Sequence, residues 1–154
     1  MKLMAAGDQV LVAEFGDRID EAVNDQVHAL AAKIEEQQIP GIGEVVPTFR
    51  SLLIYYDSYQ LSYREAADKI EELARNLKTE QKTKKRILKI PCCYGARFGS
   101  DLADMEQLTG LNRKEIIDIH RSVDYKVYML GFLPGFAYLG GLDERIHVPR
   151  LKSP

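Results

Sequence analysis

With 154 residues the chain has room for one ordinary domain or two small ones. Hydrophobic residues make up 45% and charged residues 29%, the balance of a folded, water-soluble protein and not of a disordered one. Its 21 basic and 23 acidic residues leave a net charge of −2, which excludes any general attraction to nucleic acid or anionic membrane.

At the N-terminus, Gly7, Asp8 and Gln9 interrupt the apolar run, so the segment lacks the continuous core of a secretion signal. Gln9 to Phe15 alternates as a strand does. Asp17 is the expected cap of a long helix whose apolar stripe is Ile19, Val23, Val27, Leu30 and Ile34, stopped by Pro40 and Gly41. Strands are expected around Gly43–Val46 and Ser51–Tyr56. Ser62 and Glu65 then form a capping-box pattern, opening a helix with Ala66, Ile70, Leu73, Ala74 and Leu77 on its buried face. Lys78–Arg86 is polar and mostly basic and predicts a linker, and Ile87–Ile90 predicts another strand. Strand, helix, strand, strand, helix, strand is the split βαβ order of ferredoxin-like folds.

Cys92 and Cys93 are adjacent, which precludes an ordinary disulfide between them and suits a reducing, cytoplasmic compartment. They read as small apolar residues at a strand end, and no zinc-type spacing accompanies them. Asp101–Thr109 predicts a short helix ending at Gly110. Asn112 and Glu115 cap the next helix, with Leu111 and Ile116 placed as a hydrophobic staple. The pair imitates a helix–turn–helix, but Asp101, Asp104 and Glu106 make its first helix acidic, which favours a packed connector over a DNA reader.

His120 ends the second helix, four positions after Ile116. There an imidazole can bind an anionic group or move protons near neutral pH, or simply sit hydrogen-bonded in a core. Asp124–Leu130 predicts a strand leading into the densest anomaly of the chain, GFLPGFAYLGG at 131–141. Four glycines and Pro134 allow sharp turns and exposed amides, while Phe132, Phe136 and Tyr138 supply apolar walls. The segment is not a P-loop, because the GK[ST] ending is absent. It lies within the uncharged stretch from Val127 to Leu142, whose 16 residues are too few and too broken to cross a membrane as a helix. Arg145, His147, Arg150 and Lys152 give the end a basic character suited to carboxylates or phosphates, or to a solvated loop.

The run Tyr128-Met-Leu-Gly-Phe-Leu-Pro-Gly-Phe-Ala-Tyr-Leu-Gly-Gly-Leu142, followed by His147-Val-Pro-Arg-Leu151, resembles the signature of a bacterial family. That family contains the B subunit of 5-oxoprolinase, the sporulation-kinase inhibitor KipI and the first subunit of allophanate hydrolase. Ile90-Pro-Cys-Cys-Tyr-Gly95, Asp101, and Glu115 with His120 are similar to it too; Gly7-Asp8, Phe15-Gly16, Pro47-Thr-Phe-Arg-Ser51 and Tyr55-Tyr56-Asp57 match more loosely.

The resemblance implies an α+β protein: a small N-terminal ferredoxin-like domain over residues 1–85, then the start of a cyclophilin-like β-barrel domain over 86–154. Relatives run on past the PRL segment into further proline- and glycine-rich motifs, so a truncated barrel is expected here. The function implied is that of the B-type component of 5-oxoprolinase, which with the A and C subunits converts 5-oxoproline to glutamate at the expense of ATP. The nucleotide site is not specified in this chain. The same signature fits a KipI-like inhibitor of a sensor histidine kinase, or a carboxyltransferase-type component of an allophanate or urea pathway. Carried over, His120 is the candidate catalytic residue, and Gly131, Phe132, Pro134, Gly135, Phe136, Tyr138 and Leu139 are the candidate substrate-binding residues. The expectation is of an imidazole beside a ring-lined bend, acting as one surface within a multi-chain complex.

Overall fold

A computed structural model describes residues 1–77 and 86–150. The predicted linker, except for Arg86, and Lys152 lie outside them. Among the described residues, one compact unit comprises 1–77 with Tyr128–Tyr138, and a second comprises 86–127 with 139–150.

The first unit is a four-stranded antiparallel sheet carrying two helices. Its elements are β1 (Lys2–Ala5), β2 (Val10–Glu14), α1 (Glu21–Gln37), β3 (Ile42–Pro47), β4 (Ser51–Tyr56) and α2 (Tyr63–Arg75). Spatial order is β1-β2-β4-β3, every neighbouring pair antiparallel. Register explains the core: Leu11 stands opposite Ile54 and Ala13 opposite Leu52, and all four side chains are fully buried. With side chains alternating at period two, that places one apolar face against Val27, Leu30 and Ile34 of α1 and Ala66 and Ile70 of α2. Each fully buried leucine or isoleucine contributes about 1.5–3 kcal/mol relative to exposure.

Three expectations need correction here. Ile87–Ile90 is not a strand; the segment has no regular structure, and Ile87, Leu88 and Ile90 are exposed. The sheet edge beside β2, which a fourth strand would take in a ferredoxin-like order, is instead filled by β1 from the extreme N-terminus. A hairpin closes locally, whereas a strand after α2 must return across the sheet, so β1 meets the edge at smaller entropic cost. The cap of α1 is Asp20 and not Asp17: its carboxylate accepts from the amides of Ala22 and Val23 at 2.9 and 3.1 Å. Ile19 therefore precedes the helix and is exposed. The capping box of Ser62 and Glu65 is present as expected.

In the second unit, α3 (Leu102–Thr109) and α4 (Arg113–His120) follow a short 3-10 turn at Ala96–Phe98, and another lies at Glu144–Ile146. Leu102, Ile116, Ile119 and Ile146 form its small core, with Tyr94, Met105, Leu111 and Ile117 packed against it. Asn112 and Glu115 close the expected capping box on α4, which fixes where that helix begins. Two further strands, β5 (Lys126–Leu130) and β6 (Ala137–Gly140), pair with each other. Cys92 and Cys93 are free and exposed, not strand-end core residues.

Candidate functional site

The predicted residues divide between the two compact units. Gly131, Phe132, Pro134, Gly135, Phe136 and Tyr138 belong to the first unit, while His120 and Leu139 belong to the second. Each group has its own geometry.

The bend between β5 and β6 consists of two consecutive tight turns. The Leu133 amide donates to the Gly131 carbonyl at 2.8 Å, closing a three-residue γ-turn around Phe132. Phe132 sits there at φ +66°, a left-handed conformation that a bulky residue rarely adopts. The Phe136 amide then donates to the Leu133 carbonyl at 3.0 Å, with Pro134 and Gly135 between them. Proline followed by glycine at φ +78° is the sequence a type II turn demands. A third bond, from the Gly131 amide to the Phe136 carbonyl at 3.1 Å, ties the base. The amides of Phe132 and Gly135 have no partner among the described residues.

Rings line this bend. Phe132, 85% exposed, lies edge-on to Phe136 at 6.0 Å, and Phe136 lies edge-on to Tyr138 at 5.3 Å. The series runs inward to Phe49, whose centroid is 5.8 Å from Tyr138 and 5.5 Å from buried Tyr128. Phe49 stands in the β3–β4 turn, within the Pro47–Ser51 segment that resembled the family only loosely.

Behind the rings is a polar clamp that sequence reasoning missed. Asn24, on α1 and fully buried, donates through Nδ2 to the carbonyls of Thr48, Phe49 and Tyr128 at 3.0, 3.2 and 3.2 Å. His28, one turn later, reaches the same Tyr128 carbonyl through Nε2 at 3.0 Å. A carbonyl only accepts, so His28 carries its proton on Nε2. An asparagine on the buried face of a helix was the one available signal in the sequence.

His120 is half-buried at the end of α4. Its Nδ1 shares a 2.6 Å hydrogen bond with the Tyr94 hydroxyl, and the Tyr94 ring meets the imidazole edge-on at 5.7 Å. On its other side Tyr125 lies 5.4 Å away, and the Tyr125 hydroxyl donates to the His120 carbonyl at 2.8 Å. Burial, with Cys92 as hydrogen-bond partner, pushes the Tyr94 phenol up to about 12. Burial raises Tyr125 too, assisted by the charge of Asp143. Both phenols are thus protonated across the neutral range. Of the basic end, Arg145 is engaged by Asp143 at 2.7 Å, and that hydrogen bond holds the Asp143 carboxyl down at about 2.

A shallow depression of about 380 Å³ in the first unit, lined by Gln9, Gly41, Tyr55 and Asp57 among others, contains none of the predicted residues. Among the described residues no group of His, Cys, Asp or Glu is arranged to hold a metal ion, and no helix is long and apolar enough to cross a membrane.

The family described as "Carboxyltransferase domain, subdomain C and D" matches residues 1–154. The chain is 41% identical to the B subunit of 5-oxoprolinase from Bacillus subtilis (strain 168), over 96% of this chain and 66% of that protein. It is 31% identical to the protein of the same name from Escherichia coli O157:H7, again over 96% and 66%. The chain therefore spans about two thirds of the length of these curated relatives. Among solved structures, TTHA0988 superposes with a TM-score of 0.79 at 28% identity, covering 94% of this chain and 28% of that one. The urea amidolyase of K. lactis shares the fold at a TM-score of 0.60 and 14% identity, covering 89% of this chain and 10% of that one. From the family match over all 154 residues, the chain belongs to the carboxyltransferase-domain family of subdomains C and D.

Proposed function

We propose that this chain is part of a B-type subunit of an ATP-dependent 5-oxoprolinase, acting with the A and C subunits to convert 5-oxoproline to glutamate. The observation that carries the reading is the 41% identity, sustained along 96% of the chain, to a protein named for that activity. Residues 86–154 are read as the opening portion of a cyclophilin-like barrel domain. Two exposed free thiols suit the reducing cytoplasm.

Within that reading the β5–β6 bend is the recognition element. Phe132 combines a left-handed backbone with an 85% exposed ring. Such a conformation costs about 1–2 kcal/mol in a residue with a Cβ. A ring so exposed recovers little of that through burial, and strain of this kind is retained where a site requires it. The aromatic series leading inward from Phe132 offers an apolar wall to a substrate ring or a partner surface. His120, described by itself in the second unit, is the candidate to orient an oxygen-bearing intermediate.

ATP is used by the assembled complex, and no residue of this chain is assigned to it. The bend does not suit a triphosphate, because the stretch from Val127 to Leu142 contains no charged residue to face the phosphates. The test is reconstitution of the complete B-type protein with its A and C partners. Glutamate should form from 5-oxoproline only when all three and ATP are present. Phe132→Gly should keep the fold while lowering turnover at least tenfold. Glutamate formation that does not depend on the B-type protein would remove the assignment.

A further inference from the structure

The imidazole of His120 has two nitrogens with separate tasks, and the surroundings decide which carries the proton. Nδ1 is 2.6 Å from the Tyr94 hydroxyl, a short hydrogen bond. Nε2 has no partner among the described residues. Two arrangements would satisfy the short contact: the phenol donates to an unprotonated Nδ1, or a protonated Nδ1 donates to the phenol oxygen. A phenol O–H is the stronger acid of the two donors, and the lone pair of an sp² imidazole nitrogen is a better acceptor than a phenol oxygen. The first arrangement therefore wins, and the proton of the neutral ring goes to Nε2.

The surroundings reinforce this. Burial keeps the Tyr94 phenol protonated well above neutral pH, so its donor hydrogen is always present. Cys92, the other polar neighbour of that hydroxyl, is a weak thiol donor and acceptor and competes poorly for it. Tyr125 fixes the ring from the second side, its hydroxyl on the His120 carbonyl and its ring tilted by 37° against the imidazole. Ile116 and Ile119, both buried, anchor the helix that carries His120.

We propose that Tyr94 is a positioning residue: its hydroxyl donates to Nδ1 and locks His120 as the Nε2–H tautomer, presenting a hydrogen-bond donor to a carbonyl or carboxylate oxygen of the ligand. This rests on the reading of His120 as a ligand-contacting residue, and it specifies the atom and direction of that contact. A neutral Nε2–H stabilises negative charge building on an oxygen. Its Nδ1 is unavailable as a base while Tyr94 occupies it.

The experiment is a long-range proton–nitrogen NMR correlation on the histidines of the whole chain at neutral pH. His120 should show a single Nε2-protonated pattern. Tyr94→Phe should lose that pattern and give a mixture of both tautomers, whereas Tyr125→Phe should keep it. A wild-type ring protonated on Nδ1 would overturn the proposal, even if Tyr94→Phe did not fold. So would a tautomer unchanged in Tyr94→Phe, or one disturbed equally by Tyr125→Phe. The broader reading fails separately: full glutamate formation by His120→Ala in the assembled enzyme would remove the ligand contact while leaving the tautomer result intact.

Discussion

Replacing Asn24 by alanine tests what holds the aromatic bend against the sheet. One amide nitrogen with two hydrogens serves three carbonyls at 3.0–3.2 Å, so two bonds are full and the third is shared. The amide cannot be reversed, since that would aim Oδ1 at three carbonyl oxygens. Oδ1 itself is buried without a partner. A typical internal hydrogen bond contributes about 1 kcal/mol net, and a buried polar atom left unpaired costs about 1–3 kcal/mol. Truncation leaves the Thr48 and Phe49 carbonyls unpaired, while the Tyr128 carbonyl keeps its bond from His28 and removal of the orphaned Oδ1 offsets roughly one of those two penalties. The expected loss is about 1–3 kcal/mol. With a urea slope of about 1–3 kcal/mol per molar, the unfolding midpoint should fall by roughly 1 M. Far-UV circular dichroism follows the midpoint, and amide exchange across Tyr128–Tyr138 should accelerate more than that of β2. A change under about 0.5 kcal/mol, the range of ordinary surface substitutions, would refute the clamp.

Other outcomes follow from single contacts. Phe132→Gly removes an unfavourable left-handed side chain, so it should leave stability unchanged or raise it by about 1 kcal/mol; a clear loss in thermal unfolding would show that the ring is structural. Gly41→Ala should destabilise more than Gly135→Ala: both positions have positive φ, but a Cβ at Gly41 would stand 2.9 Å from Leu61 Cγ, whereas nothing lies within 4 Å of one at Gly135. Equal losses in urea titrations would contradict that difference. Because Arg145 holds the folded Asp143 carboxyl at about 2, below its ordinary value, the pair stabilises the fold above that ordinary value and loses its contribution as the pH falls toward 2. Carbon-13 titration of Asp143 should show the low midpoint in wild type and a higher one in Arg145→Ala, where only the backbone amide of residue 145 still donates to the carboxylate.

Local rules carried much of the fold. The capping boxes at Ser62 and Asn112, the buried positions Val27, Leu30 and Ile34, and β4 over Ser51–Tyr56 were legible because each depends on residues close in sequence. The errors lay where tertiary competition decides. Ile87–Ile90 has the composition of a strand, but β1 occupies the sheet edge it would have taken. Asp17 and Asp20 both fit a helix cap, and only the backbone geometry shows that Asp20 performs it.

The bend at 131–136 stood out through glycine and proline, yet its γ-turn around Phe132 is a conformational fact that no residue type announces. Likewise Tyr94 and Tyr125 lie 26 and 5 residues from His120, and no spacing rule joins them to it. Only proximity in sequence joins the imidazole to the bend, and the two belong to different compact units.

The most direct measurement is glutamate formation by the complete B-type protein assembled with its A and C partners, in the presence of ATP and 5-oxoproline. The wild-type protein should support turnover, while His120→Ala and Phe132→Gly, each shown to be folded and assembled, should each lower it at least tenfold. Turnover at the wild-type rate with both variants would contradict the account.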